Sequence, residues 1–371
     1  MVRLLGAGLL GLLMLVAEAA AAERTGAPRP AAPEAARPAP ARPLVAPFEP
    51  ILYLAAPVRP KQGCEAAPPA VKDVGTDVAP SGTDDRRLQA ETVLRSLQTF
   101  ATLIAGHADR YFLSRGAERK AAACALALLD SWARNGALLG QADAAGEFVR
   151  EMTLASLAMN ALKIRQSPDL DRGALQRVTA WLKAVAGKVM AHYADPSRPE
   201  ARDHHAYWAG LGVGLAGVAA QNRALFDWAM QRLEVGVMQV QADGSLPLEM
   251  ARRSWALQGQ LFALAPLIML AELGEWNGRS AYEANGGALH RLVAFTVAGV
   301  RDPKAFARRA GAPQEGVFPP ANGSAELAWV EPYAARFPDR APMDWVKTRR
   351  PIHALPLGGA ISYLYSAREG P

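Results

Sequence analysis

From about residue 85 to residue 300 the chain is written almost without interruption in the helical period, and this limits its possible folds more than any other feature. In RRLQAETVLRSLQTFATLIAGHADRYFL, residues Leu88, Val93, Leu97, Phe100, Leu103 and Ile104 gather on one side of a helix. The same spacing predicts helices over 118–139, 145–166, 171–193, 204–220, 222–241, 247–273 and 279–300. Turn signals separate them: NGALLGQ, QSPDLDRG, ADPSRPE, QNR, ADGS and GEWNGR. Runs of alternating β-branched residues, which would mark strands, are missing. Long helices joined by short turns lie antiparallel to their neighbours. Such hairpins stack into a bundle, a solenoid or a closed toroid, and periodicity alone does not choose among these. No repeat of about 33 to 45 residues is legible, which argues against tetratricopeptide or ankyrin arrays.

The N-terminus has a different character. Arg3, an apolar run from Leu4 to Val16 and small residues through Ala22 read as a cleaved secretory signal over 1–22. The alternative is an uncleaved anchor; no later stretch reaches about 18 uninterrupted apolar residues, so no membrane span is expected after signal cleavage. Residues 23–44, ERTGAPRPAAPEAARPAPARPL, offer almost nothing to bury and read as an extended tether. The folded domain is then 45–371, in the periplasm or secreted.

Net charge is +6, of which the tether holds four Arg against two Glu, leaving about +4 for the domain. That balance suits a polyanionic or neutral partner. No Lys/Arg run exceeds two residues and no nucleic-acid motif spacing occurs, so nucleic acid is not the expected partner. Cys64 and Cys124 are the only cysteines. In an exported chain they are expected to pair, closing a loop of roughly 60 residues, with two buried thiols as the alternative. Two cysteines cannot build a structural zinc site.

Three stretches carry candidate chemistry. In RDHHAYW, Asp203 is a plausible N-cap that puts His204 and His205 in the first turn of a helix, where backbone N–H groups favour anions. Adjacent helical residues point about 100° apart, so the two histidines are not expected to share a metal. In PLEMARRSWALQGQLFAL, Glu249, Arg252, Arg253, Trp255, Gln258 and Gln260 surround a helix start, and Arg252 and Gln260 could share a groove-facing side. Arginine's planar fork suits carboxylates. In AELAWVEPYAARF, Trp329, Glu331 and Tyr333 interleave aromatic and acidic groups, as on carbohydrate surfaces and equally as in ordinary cores. There is no GxSxG elbow, P-loop or dinucleotide fingerprint.

Taken together, HAYW at 205–208, NRALFDWAMQRLEVGVMQVQADGSLPLEMARRSWAL at 222–257 and AWVEPY at 328–333 resemble the periplasmic alginate lyases that cleave poly-mannuronate. ALALLDSWARNGAL at 125–138 and LGG near 357 fit the same order. The resemblance spans roughly 45–371. It implies an all-α, incomplete (α/α) toroid with a groove for an acidic polysaccharide, acting as a monomer by β-elimination without metal or organic cofactor.

Residue by residue, the resembled pattern is partly broken. An Asn-His pair becomes His204-His205, and the arginine opening the site helix is kept as Arg252. Seven residues on, where those lyases place the tyrosine that moves the proton, this chain has Gly259, followed by Gln260 and Leu261. The lid lysine and tyrosine correspond to Ala79 and Pro80, and an arginine before Leu-Gly-Gly to Pro356. Gly259 cannot move a proton, so either the base has migrated or the elimination is lost. Imidazole, with an ordinary pKa near ~6.5, suits general-base work. The expectation is a polysaccharide lyase with His205 as base and Arg252 as carboxylate neutraliser. His204, Tyr207, Trp208, Arg253, Trp255, Glu331 and Tyr333 would bind substrate, and Tyr207, Tyr333 or water would protonate the leaving group. The alternative is an inactive polysaccharide-binding or assembly protein.

Overall fold

The computed structural model describes residues 42–61, 63–75, 84–316, 318–320 and 324–365. The signal, nearly all of the tether, and Ala79 with Pro80 lie outside the described residues. The helices are α1 (Asp84–Leu113), α2 (Arg119–Arg134), α3 (Ala144–Ile164), α4 (Arg172–His192), α5 (His204–Ala219) and α6 (Arg223–Gln239). After them come α7 (Pro247–Met250), α8 (Ala256–Trp276), α9 (Ala284–Arg301) and α10 (Pro303–Ala310). Short helices α11 (Ala325–Ala328) and α12 (Val330–Arg336) precede the C-terminal hairpin.

The polar residues in the turns set where helices begin. Asp143, Asp171, Asp203, Asn222 and Asp302 each accept a backbone N–H from the first turn of the helix that follows. Each such cap is worth about 1 kcal/mol.

The hairpins form two concentric layers. Helices α1, α3, α5 and α8 pack successively on one another as an inner ring, while α2, α4, α6 and α9 lie outside them. An inner helix touches neighbours on every side, which is why α5 and α8 are apolar all round instead of carrying one stripe. The stretch Arg253–Trp276 is apolar enough to cross a membrane by composition, yet 89% of its apolar window is buried inside the protein. Close packing of α5 depends on glycine: a Cβ at Gly212 would come 2.8 Å from the carbonyl oxygen of Glu151 on α3, and one at Gly217 would come 2.9 Å from the backbone of Phe226 on α6.

The C-terminal segment lies between α8 and α1. There β1 (His353–Ala354) pairs antiparallel with β2 (Gly359–Ala360), His353 opposite Ala360. Lys163 Nζ fastens this hairpin, donating to Asp109 at 2.5 Å and to the Gly358 carbonyl at 2.6 Å. Pro356 sits in the 3-10 turn between the strands. The architecture is an all-α, incomplete (α/α) toroid.

The N-terminal segment is strapped across the helices. Its ordered packing begins earlier than the sequence implies, since Leu44 is buried and exchanges backbone hydrogen bonds with the Gln221 amide at 2.9 and 2.8 Å. Cys64 and Cys124 form the expected disulfide, tying this segment to α2.

Two predicted helices differ from expectation. The one over 247–273 is broken into α7, a 3-10 turn at Arg253–Trp255 and α8, because Arg253 adopts a left-handed backbone (φ 56°). The one over 279–300 begins late, with Asn285, Gly286 and Gly287 all left-handed.

Candidate active site

The break before α8 creates the site. It lets Arg252 fold back over the start of α5, where Asp203 caps the helix and accepts the His205 backbone N–H at 3.0 Å. The other contacts of Asp203 join the two expected catalytic residues. Its Oδ1 lies 2.8 Å from His205 Nδ1, and its Oδ2 accepts from Arg252 Nη2 at 2.7 Å. His205 and Arg252 therefore share one carboxylate, well within the span of a single sugar.

A second carboxylate mirrors the first. Glu249 accepts from Arg252 Nε at 2.7 Å and from the His204 backbone N–H at 3.1 Å, and its Oε2 lies 3.1 Å from His204 Nδ1. Its side chain is 1% exposed, against 10% for His204, 27% for His205 and 34% for Arg252. The two imidazoles stack at 4.3 Å with 24° between their planes. Ideal helical projection would splay them; the two carboxylates instead draw both Nδ1 atoms inward. Phe148 of α3 and Phe262 of α8 pack edgewise on the His204 ring.

Asp203, His204 and His205 hold possible ligand atoms within 4.8 Å of one another. Both Nδ1 atoms and both Asp203 oxygens are engaged in hydrogen bonds, one of the oxygens with a guanidinium. Burial pushes the Asp203 carboxyl upward, but the hydrogen bond and charge of His205, with the charge of His204, outweigh it and hold the group below its ordinary value.

Beside this network opens a pocket of about 280 Å³ lined by His204, Arg252, Trp255, Gln258, Gly259, Phe262 and Glu326. Trp255 is 48% exposed and supplies an aromatic face. A Cβ at Gly259 would come 2.6 Å from Glu249 Oε2, so a larger residue there would require that carboxylate to move. The position aligned with the resembled tyrosine is thus crowded by the Glu249 carboxylate.

The other expected binding residues lie elsewhere. Tyr207 is buried, its hydroxyl donating to the Arg202 carbonyl at 3.1 Å, because two residues after His205 the helix faces the core. Trp208 is fully buried against Phe262. Arg253 points away in its left-handed turn, with Nη2 3.4 Å from the Gly311 carbonyl. Glu331 is a core ion-pair residue, bonded by Arg350 at 2.8 and 2.6 Å and by Ser362. Tyr333 is buried and lies 2.8 Å from His290 Nδ1; burial, partly opposed by Arg340, pushes its phenol up to about 12. Gln260 does not share a groove face with Arg252: it is buried and braces the Leu246 backbone at 3.1 and 3.0 Å, leaving Gln258 to line the pocket. Of the seven, only His204 and Trp255 line the pocket. Sequence reasoning underweighted Glu249, whose signal is its i,i+3 spacing to Arg252, and missed Phe148, Phe262 and Glu326.

Fold and site together define a helical toroid with a pocket lined by His204 and Arg252 near the starts of α5 and α8. Residues 71–306 match the alginate lyase family. A polysaccharide lyase of Stenotrophomonas maltophilia (strain K279a) is 34% identical over 311 residues, covering 81% of this chain and 90% of that protein. An alginate lyase of Cobetia marina is 31% identical over 342 residues, covering 84% and 90%. Among solved structures, alginate lyase A1-III from Sphingomonas species A1 superposes with a TM-score of 0.68 at 26% identity, covering 87% of this chain and 89% of that one. A tyrosine-to-phenylalanine variant of A1-III complexed with tetrasaccharide gives 0.70 at 25% identity, covering 88% and 89%. The chain belongs to the alginate lyase family, a family of carbon–oxygen lyases acting on polysaccharides.

Proposed function

We propose that this protein is an exported lyase that cleaves alginate or a closely related uronate polymer by β-elimination, with His205 as base and Arg252 as carboxylate neutraliser. The observation that carries this reading is the Asp203 carboxylate bridging His205 Nδ1 and Arg252 Nη2. A carboxylate on Nδ1 places the ring proton there and leaves the lone pair on Nε2, the state a base requires. Removing the proton on C5 produces a dianionic intermediate. A guanidinium on the sugar carboxylate, in a site partly closed to water, contributes several kcal/mol toward it. The start of α5 adds the positive end of a helix. Trp255 offers a face for a pyranose ring. The complexes of related alginate lyases with tetrasaccharide, and a disulfide, which suits an oxidising compartment, support the reading.

Two observations favour a second reading, in which the groove binds polymer without cutting it: Gly259 leaves no phenol, and Arg252 is already shared by two carboxylates. The test is incubation of the purified protein with poly-mannuronate and a panel of other uronate polymers, following ultraviolet absorbance of the unsaturated product. Cleavage abolished by both His205→Ala and Arg252→Ala, with unchanged circular dichroism, supports the lyase. Binding without product from any polymer supports the second reading, and variants as active as the parent remove His205 and Arg252 from the mechanism.

A further inference from the structure

Elimination requires two proton transfers, and the site holds two imidazoles. Building on the lyase reading, we infer that His204 donates the proton to the departing O4 oxygen, with Glu249 as the residue that positions it. Tyr207 and Tyr333, the phenols the sequence offers for this task, are buried and turned to other partners. His204 is in the pocket wall beside Arg252 and Trp255. Its Nδ1 is held by Glu249, and its Nε2 has no partner among the described residues, which leaves that nitrogen to meet a ligand.

The step balances. His205 Nε2 takes the C5 proton, the C5–H electron pair becomes the C4–C5 double bond, the C4–O4 bond breaks, and O4 takes the proton from His204 Nε2. The two rings finish with their protonation states exchanged, and solvent restores them. The reacting atoms belong to adjacent carbons of one sugar, and rings stacked at 4.3 Å can address both within hydrogen-bond reach of about 3 Å.

Position gives the roles. His204 is the ring on the more deeply buried carboxylate, Glu249, and the ring in the pocket wall, so the donor is His204 and the base His205. The groups facing His204 are Glu249 and Arg252 from the α7 region, Asp203 and His205 from its own helix, and Glu326 across the pocket; α3 and α8 present Phe148 and Phe262.

The test separates an acid from a structural residue by the leaving group. The parent, His204→Asn and Glu249→Gln are compared on poly-mannuronate and on a uronate whose O4 carries a nitrophenyl group, which departs without protonation. His204→Asn is expected to lose about 100-fold or more in kcat on polymer and stay within a few-fold of the parent on the activated substrate. Glu249→Gln, which loosens the hold on His204 Nδ1, should lose more on the polymer than on the activated substrate. Parent-like polymer cleavage by His204→Asn overturns the assignment, as does an equal loss on both substrates. An inactive parent instead refutes the lyase reading itself, and His205→Ala retaining activity refutes only the base. Thermal melts of each variant establish that it is folded.

Discussion

Replacing Gly259 by alanine should weaken this protein, against the ordinary behaviour of helices. Gly259 is the fourth residue of α8, where alanine is normally favoured over glycine by about 1 kcal/mol. Here the added carbon would sit 2.6 Å from Glu249 Oε2, 3.2 Å from Arg252 Cδ and 3.3 Å from Glu249 Cβ. The closest atom ends a flexible side chain, but that side chain is 1% exposed and tied to Arg252 at 2.7 Å and to His204 at 3.1 Å. Moving it weakens a charge-assisted hydrogen bond, at about 1.5–3 kcal/mol, and overpacking adds about 1–3 kcal/mol. The helix gain does not offset these, so the net loss is about 2 kcal/mol. Urea unfolding of the parent, Gly259→Ala, Glu249→Ala and the double variant measures it as a cycle. With the carboxylate gone the alanine fits and recovers the helix preference of about 1 kcal/mol, so the double variant should be more stable than the sum of the singles by about 3 kcal/mol. A raised urea midpoint for Gly259→Ala, or simple additivity, would show that Glu249 does not fill the space beside residue 259.

Three further expectations concern the frame. Cys64→Ser/Cys124→Ser opens a loop spanning 60 residues of sequence; chain entropy puts the loss at about 4 kcal/mol, and limited proteolysis should then cut near the exposed Leu52 and Tyr53. Glu331→Gln should cost about 3 kcal/mol in denaturant unfolding by leaving Arg350 without its buried partner, with kcat and KM unchanged; a raised KM would return Glu331 to the binding site. Burial holds the Glu151 carboxyl well above its ordinary 4.5, although Tyr193 donates to it at 2.8 Å. A raised folded value means that this contribution is complete below pH 4.5 and is lost as pH rises toward the folded value. Glu151→Gln should therefore flatten the decline in urea midpoint from acidic to neutral pH, and an unchanged slope would refute the assignment.

The helices were legible because their signals are local. Apolar spacing and the Asp and Asn caps located α2 through α6 to within a few residues, and the turn residues separated them. The toroid was not legible from spacing: an inner helix such as α5 is apolar on all sides, so its pattern does not say which neighbours it meets, and only resemblance to known lyases selected the incomplete toroid. The break at Arg253 escaped because a left-handed arginine has no sequence signature. It is also the feature that returns Arg252 to Asp203. Tyr207 and Trp208 adjoin His205 in sequence but turn to the core, since consecutive helical positions sweep around the axis. Glu331 and Tyr333 share the aromatic–acidic composition of a sugar surface, and composition does not distinguish that surface from a satisfied buried network.

The departures from the resembled lyases at His204 and Gly259 form one unit with Glu249. A carboxylate as buried as Glu249 is tolerable only when paired, and its partners are Arg252 and His204. A Cβ at residue 259 would sit 2.6 Å from its Oε2, and an apolar residue at 249 would leave His204 without the contact that holds its Nδ1. Isolated decay of an active site would be expected to leave a gap or an unpaired group where the phenol was lost. Here a carboxylate lies beside residue 259 and its hydrogen bonds hold a second ionisable ring against the pocket, which supports the proposed acid–base pair over a vacated site.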